Sequence, residues 1–145
     1  MCRAPVIERA FGDHIELRCM GDDHRCLYLW SNDEVKAEQI WDAVDAGRWH
    51  DLNDAAGFFA GVYQAGDKVC LFTDRLGVYP LFYLVDAKTV CAAPVIHRFE
   101  EEMSRTFSPW LEGVVSLLLF GHHLADETVF GGVRRCQGGS TVVVW

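Results

Sequence analysis

Between residues 57 and 92 the chain falls into short runs, apolar on nearly every residue, separated by turn-formers. "GFFAGVYQA", "KVCLFTD", "PLFYLVD" and "KTVCAAP" each have strand length and are rich in β-branched and aromatic residues. Such runs predict strands rather than helices. Gly66-Asp67 and Asp86-Ala87 supply tight turns between them, so successive hairpins and an antiparallel meander are expected. A strand apolar on both faces must be covered on both faces. This stretch therefore requires a layered molecule, with a second sheet on one side and helices on the other.

The flanking segments supply those layers. "HIELRCM-GDDH-RCLYLW" reads as a hairpin around a Gly-Asp-Asp turn. "SNDEVKAEQIWDAVDAG" reads as a helix, with Ser31 and Glu34 as a capping box and Asp33 and Glu34 in the first turn. Ala37, Ile40, Trp41 and Val44 form its apolar stripe, and Gly47 stands at its end. "SPWLEGVVSLLLFG" predicts a second, broadly buried helix with Ser108 as cap, Pro109 in the first turn and Gly121 as stop. "TVF" at 128–130 and "STVVVW" at 140–145 read as closing strands. The pattern predicts one α+β domain over residues 1–145, with helices packed on stacked antiparallel sheets.

The net charge of −8, from 21 acids and 13 bases, comes without a basic stripe, so nucleic acid is not expected as a partner. The N-terminal run "MCRAPVIERAFGDH" lacks a signal-type apolar core. The longest apolar run, "VVSLLLF", is too short to cross a bilayer. The expectation is a cytoplasmic protein without membrane association, whose six cysteines are thiols. Cys19, His24 and Cys26 crowd one hairpin; ordinary strand cysteines outweigh a metal site there, since structural zinc takes four well-spaced ligands. His122-His123 reads as a helix-end or surface pair before a site, and "EEEM" at 100–103 as a solvated charge run. The five tryptophans read as core or interface anchors, with Trp145 at an interface or domain edge.

Two motifs carry a resemblance. In "GFFAGVYQAGDKVCLFTDRLGVYPLFYLVDAKTVCAAPVI", Asp74, Arg75, Gly77, Pro80, Leu81 and Tyr83 stand in the places of an Asp-Arg-x-Gly-x-x-Pro-Leu-Tyr-Tyr run, with Phe82 for one Tyr. In "FGHHLADETVFGGVRRCQGGSTVVV", Thr128, Phe130, Gly132, Val133, Arg135 and Gly138 match a second run, with Gln137 for its Pro. Together they resemble the N-terminal class II glutamine amidotransferase domain of the asparagine synthetase family, over roughly residues 30–145. The resemblance implies an N-terminal-nucleophile-type, four-layer αββα sandwich, shortened here in its N-terminal half. It also implies a place for each catalytic part. Cys2, exposed by removal of Met1, would be the nucleophile, activated by its own α-amine. Asp33 in "SNDE" would contact the substrate amine.

Other parts of that chemistry are missing from the sequence. Neither an Arg-Gly-Pro-Asp loop nor an Asn-Gly-Glu-Ile-Tyr-Asn stretch occurs before the first helix, and Pro5 interrupts the segment that should continue as a strand. In the family resembled these supply carboxylate-binding and oxyanion groups, and each oxyanion donor is worth ~10²–10³ in rate. No Ser-Gly-Gly-x-Asp-Ser pyrophosphate loop occurs either. The expectation is thus a non-catalytic amidotransferase-like domain, without metal or cofactor. It would serve an ATP-dependent synthetase or cyclase that forms asparagine, a β-lactam or a lasso-type macrolactam. The alternative is an active glutaminase or amide hydrolase using Cys2, with glutamine or a peptide as ligand. A homo-oligomer is left open.

Overall fold

The computed structural model describes residues 16–86, 89–96, 99–100 and 106–145. Among the described residues, eight strands form two antiparallel sheets. β1 (Glu16–Gly21), β2 (Arg25–Ser31), β3 (Phe59–Ala65) and β4 (Lys68–Thr73) run as a meander, and β8 (Thr141–Val144) closes that sheet beside β4. The smaller sheet has the order β6 (Thr89–Ala93), β5 (Leu81–Asp86), β7 (Arg134–Cys136). The described helices are α1 (Ala37–Asp45), a 3-10 turn at Trp49–Asn53, and α2 (Leu111–Phe120).

The strand readings between 57 and 92 hold, and so does the first hairpin. Its turn is fastened by Asp22, whose Oδ1 accepts the backbone N–H groups of His24 and Arg25, each at 2.9 Å. The single meander does not hold. β4 and β5 do not pair; the chain leaves the large sheet at Thr73 and enters the small one at Leu81. The run "DRLGVYP" is therefore the corner between sheets.

Both faces of the large sheet are covered, as its composition requires. Trp30, Ala60, Val62, Val69 and Leu71 pack with Leu81, Tyr83, Leu84, Ala92 and Cys136 of the small sheet, and with Phe99 and Phe107. The alternate residues Leu27, Leu29, Phe59, Tyr63, Cys70 and Phe72 pack with Val35, Ile40, Val44 and Leu52 from α1 and its surroundings. At about 1.5–3 kcal/mol for each large apolar side chain taken from water, these two cores drive the layering. The finding is thus a mixed α+β chain, mostly strand, built on two antiparallel sheets.

Four local expectations are corrected. Ser31 does not cap α1: it is the last residue of β2, fully buried, and the helix starts six residues later behind an extended Lys36. Strand pairing with Phe59 claims the Ser31 backbone before a helix can. Ser108 and Pro109 also stand outside their helix. Pro109 bridges Phe130, Ser108 accepts the Gly131 N–H, and an extended Trp110 precedes α2. Thr128–Phe130 forms only that bridge, and the strand follows at Arg134–Cys136. Finally, α2 is not buried. Only Gly113 and Ser116 are covered, while Leu111, Leu118 and Leu119 are each more than 70% exposed. The expected ends hold: Gly47 and Gly121 follow α1 and α2 with positive φ.

Candidate functional site

At one end of the large sheet, three backbone segments meet. Asn32 follows β2 and locks onto the approach to β3. Its N–H donates to the Phe58 carbonyl at 3.2 Å, and its side-chain Oδ1 accepts the Phe58 N–H at 3.0 Å. The third segment is the corner after β4, and Asp74 organises it. Asp74 is 3% exposed, and its carboxylate accepts three backbone N–H groups: Phe59 at 3.1 Å, Leu76 at 2.8 Å and Gly77 at 2.9 Å. The Asp74 carbonyl also accepts the Gly139 N–H at 2.7 Å.

The corner is then pressed against the 137–140 turn. Gly77 has φ +61°, and a Cβ there would lie 2.8 Å from the Gly138 Cα. A Cβ on Gly138 would meet the Leu76 carbonyl carbon at 2.7 Å. Two glycines therefore face each other across a backbone crossing that leaves no room for side chains. Thr73 Oγ1 adds a bond to the Gln137 carbonyl at 2.6 Å. The two motifs singled out in the sequence, sixty residues apart, are the two sides of one seam.

Beside this seam opens a cleft of about 370 Å³, lined by Asn53, Ala55, Gly57, Phe58, Asp74, Arg75 and Leu76. Asp74 spends its carboxylate on the backbone, so the cleft's available charge is Arg75. That side chain is exposed and makes no ion pair among the described residues. Asp74 caps the corner, and it does not pair with its neighbour Arg75. Leu76, at 71% exposed, and Phe58 add apolar wall. The lining can hold an anion beside an apolar group. It contains no Cys, Ser, Thr or His to act as nucleophile or base.

Of the sequence-derived site residues, Cys2 lies outside the described residues. Asp33 is exposed on the turn between β2 and α1 and does not line the cleft. Its charge reaches Tyr79, whose phenol is pushed up by burial first, then by Asp74 and by Asp33. The residue of "SNDE" that joins this end of the sheet is Asn32; its amide, able to accept from a neighbouring backbone, was the missed signal.

The other clusters are structural. Cys19 and Cys26 sit near each other on the first hairpin, and burial raises both thiols, which opposes the reactive thiolate form. Among the described residues no three His, Cys, Asp or Glu side chains are placed to hold a metal ion. His122 Nδ1 lies 2.9 Å from the Phe120 carbonyl, in keeping with the helix-end reading. Sequence reasoning missed a charged network around Arg25. Its guanidinium binds Asp22 at 2.6 Å and Asp45 of α1 at 2.8 Å, stacks over Trp41, and shares Asp45 with the Tyr63 hydroxyl at 2.6 Å.

Comparison of the sequence with protein-family models gives no match, and comparison with curated proteins gives none. Among the described residues no helix is long and apolar enough to cross a membrane.

Proposed function

We propose that this chain is a degenerate glutamine amidotransferase-like domain that works by association, as a subunit or N-terminal domain of an asparagine-synthetase-type, ATP-dependent amide-forming enzyme. The finer architecture that goes with this reading is the four-layer αββα sandwich. The observation that carries the reading is α2. Leu111, Val115, Leu118 and Leu119 fall on one helix face, and all are between 42% and 78% exposed. The helix is seated by its small residues, with Gly113 so close to the Thr128 carbonyl that a Cβ would overlap it. Seating a helix by its small face and turning its leucines outward exposes a contiguous apolar patch, which marks an interaction surface. The cleft beside the corner, with an anion-holding group and no nucleophile in its lining, fits a domain that binds rather than cuts.

The test is co-purification with the adenylating amide synthetase of the same organism, followed by ATP-dependent amide formation with and without this chain. A stoichiometric complex that Leu118→Asp disrupts supports the reading. No complex, together with ammonia release from glutamine that Cys2→Ala abolishes, overturns it in favour of the hydrolase with Cys2 as nucleophile.

A further inference from the structure

The large sheet ends in a strand whose outer edge is built for pairing. β8 lies against β4 in the register Val69↔Val144, Cys70↔Val143, Leu71↔Val142, Phe72↔Thr141. Two hydrogen bonds fix which way its backbone groups point. Asp74 N–H donates to Phe59 on the β3 side, and Thr73 N–H donates to Ser140 on the β8 side. Even-numbered residues of β4 therefore face β3, and odd-numbered residues face β8. In an antiparallel ladder the residues opposite odd positions of β4 return the bonds. Val142 and Val144 thus point their N–H and C=O groups at β4, while Thr141, Val143 and Trp145 point theirs away from the sheet.

No described strand pairs with that outer edge. Nor does it carry the devices that normally protect one: "GSTVVVW", residues 139–145, contains no charge and no proline. Val143 is 39% exposed and Trp145 is 87% exposed. Trp145 follows the strand, and the Lys68 Nζ stands 5.1 Å from its ring and 5.8 Å from the Trp49 ring.

We infer that β8 is a self-association edge, at which a second copy of this chain adds its own β8 antiparallel across a twofold axis to join two five-stranded sheets into one. The geometry singles out this occupant because the edge is complementary to itself. Val143 is the outward-facing position between Thr141 and Trp145. A twofold axis there pairs Val143 with Val143 of the second copy and Thr141 with its Trp145, and every pair joins two outward-facing residues. Each can exchange N–H and C=O. Val142 and Val144 keep their bonds to β4. The Val143 side chains, which lie on the α1 face with Cys70, meet across the axis as a β-branched pair flanked by Trp145, so the exposed apolar atoms of the edge are covered. This surface is separate from α2, so it stands or falls independently of the synthetase reading.

The test is sedimentation equilibrium of the full chain over micromolar to sub-millimolar concentration, with residue-resolved amide exchange alongside. The expected result is a species of twice the 16.4 kDa monomer mass. The amides of Thr141, Val143 and Trp145 should become protected as concentration rises, while those of Val142 and Val144 are protected throughout. Val143→Pro removes an outward N–H that β4 does not use. It and Val143→Lys should each weaken association by about tenfold or more, with an unchanged far-ultraviolet spectrum showing that the monomer still folds. If proline disturbs the fold, the lysine variant decides alone. A chain that stays monomeric throughout overturns the inference. So does a dimer that survives Val143→Lys, or one that Leu118→Asp abolishes while Val143→Lys leaves it intact, which would move the interface to α2.

Discussion

A single carboxylate, that of Asp74, holds the end of β4, the start of β3 and the corner together. A buried acceptor serving three N–H groups is costly to remove, because each donor is left desolvated and unpaired. Asp74→Ala is expected to destabilise the chain by about 2–4 kcal/mol, read as a drop in urea midpoint. Gly77→Ala attacks the same corner differently, by adding a Cβ at positive φ against the Gly138 backbone. It is expected to cost about 2 kcal/mol or more, since neither partner is a side chain that can swing away; equal midpoints for Gly77→Ala and the parent would remove the seam from this account. The residue types of the corner were legible in the sequence, and a turn could be read from Asp, Gly and Pro. That Asp74 would serve Phe59, fifteen residues earlier, was not, because no local rule encodes a long-range backbone donor. The first-turn reading of Asp33 fails for a related reason. Its acidity beside a helical pattern suggested a first turn, but strand pairing of Ser31 delays the helix and leaves Asp33 on an exposed turn.

At the scale of elements, hydrophobic period decided strands well and helix surroundings poorly. The β runs at 57–92 could be read because covering both faces demands apolar residues throughout. The same logic, applied to "LEGVVSLLLF", predicted burial and was wrong: the structure seats α2 on Gly113 and Ser116 and leaves its leucines outside. Two substitutions separate the faces. Leu118→Asp should leave the unfolding free energy from urea titration within about 0.5 kcal/mol of the parent, as for other exposed positions. Gly113→Ala should lower it clearly, because the new Cβ overlaps the Thr128 carbonyl. The first hairpin is tied to α1 by charge, and that tie titrates. In the folded chain Asp22 is held down to about 2, chiefly by its bonds to Arg25. Asp45 is lowered by the Tyr63 hydroxyl and by Arg25. A carboxyl lowered on folding contributes stability that is complete above the unfolded value of ~3.9 and is lost as pH falls through the folded value. Tyr63 is raised by burial and by Asp45, so its share is complete below about pH 10 and is lost above it. The urea midpoint should therefore fall below about pH 4 and again above about pH 10, with Arg25→Met flattening the acid limb. An acid limb identical in parent and Arg25→Met would show that the network contributes nothing.

At the scale of the whole molecule, the two sheets share one core and one seam, and this bears on how the chain unfolds. The sequence indicated layers but not where the meander breaks, because a sheet-to-sheet corner and a hairpin turn draw on the same Gly, Pro and Asp chemistry. The break falls where β4 ends, and the Gly77–Gly138 crossing fastens the corner there to the 137–140 turn, between a strand of each sheet. β4 contributes Val69 and Leu71 to the inter-sheet core and Cys70 and Phe72 to the α1 core. Neither core can open without disturbing this shared strand. The expected behaviour is therefore one cooperative transition. Tryptophan offers the probes, since Trp30 lies in the inter-sheet core whereas Trp41 and Trp49 pack against the α1 core. Single-tryptophan variants keeping Trp30 or Trp49 should report the same urea midpoint as far-ultraviolet dichroism. Gly77→Ala should move all three together, because it loosens the corner where β4 leaves the sheet they share. Separate midpoints for Trp30 and Trp49, or a Gly77→Ala shift confined to the Trp30 probe, would show that the two cores unfold as independent units and that β4 does not couple them.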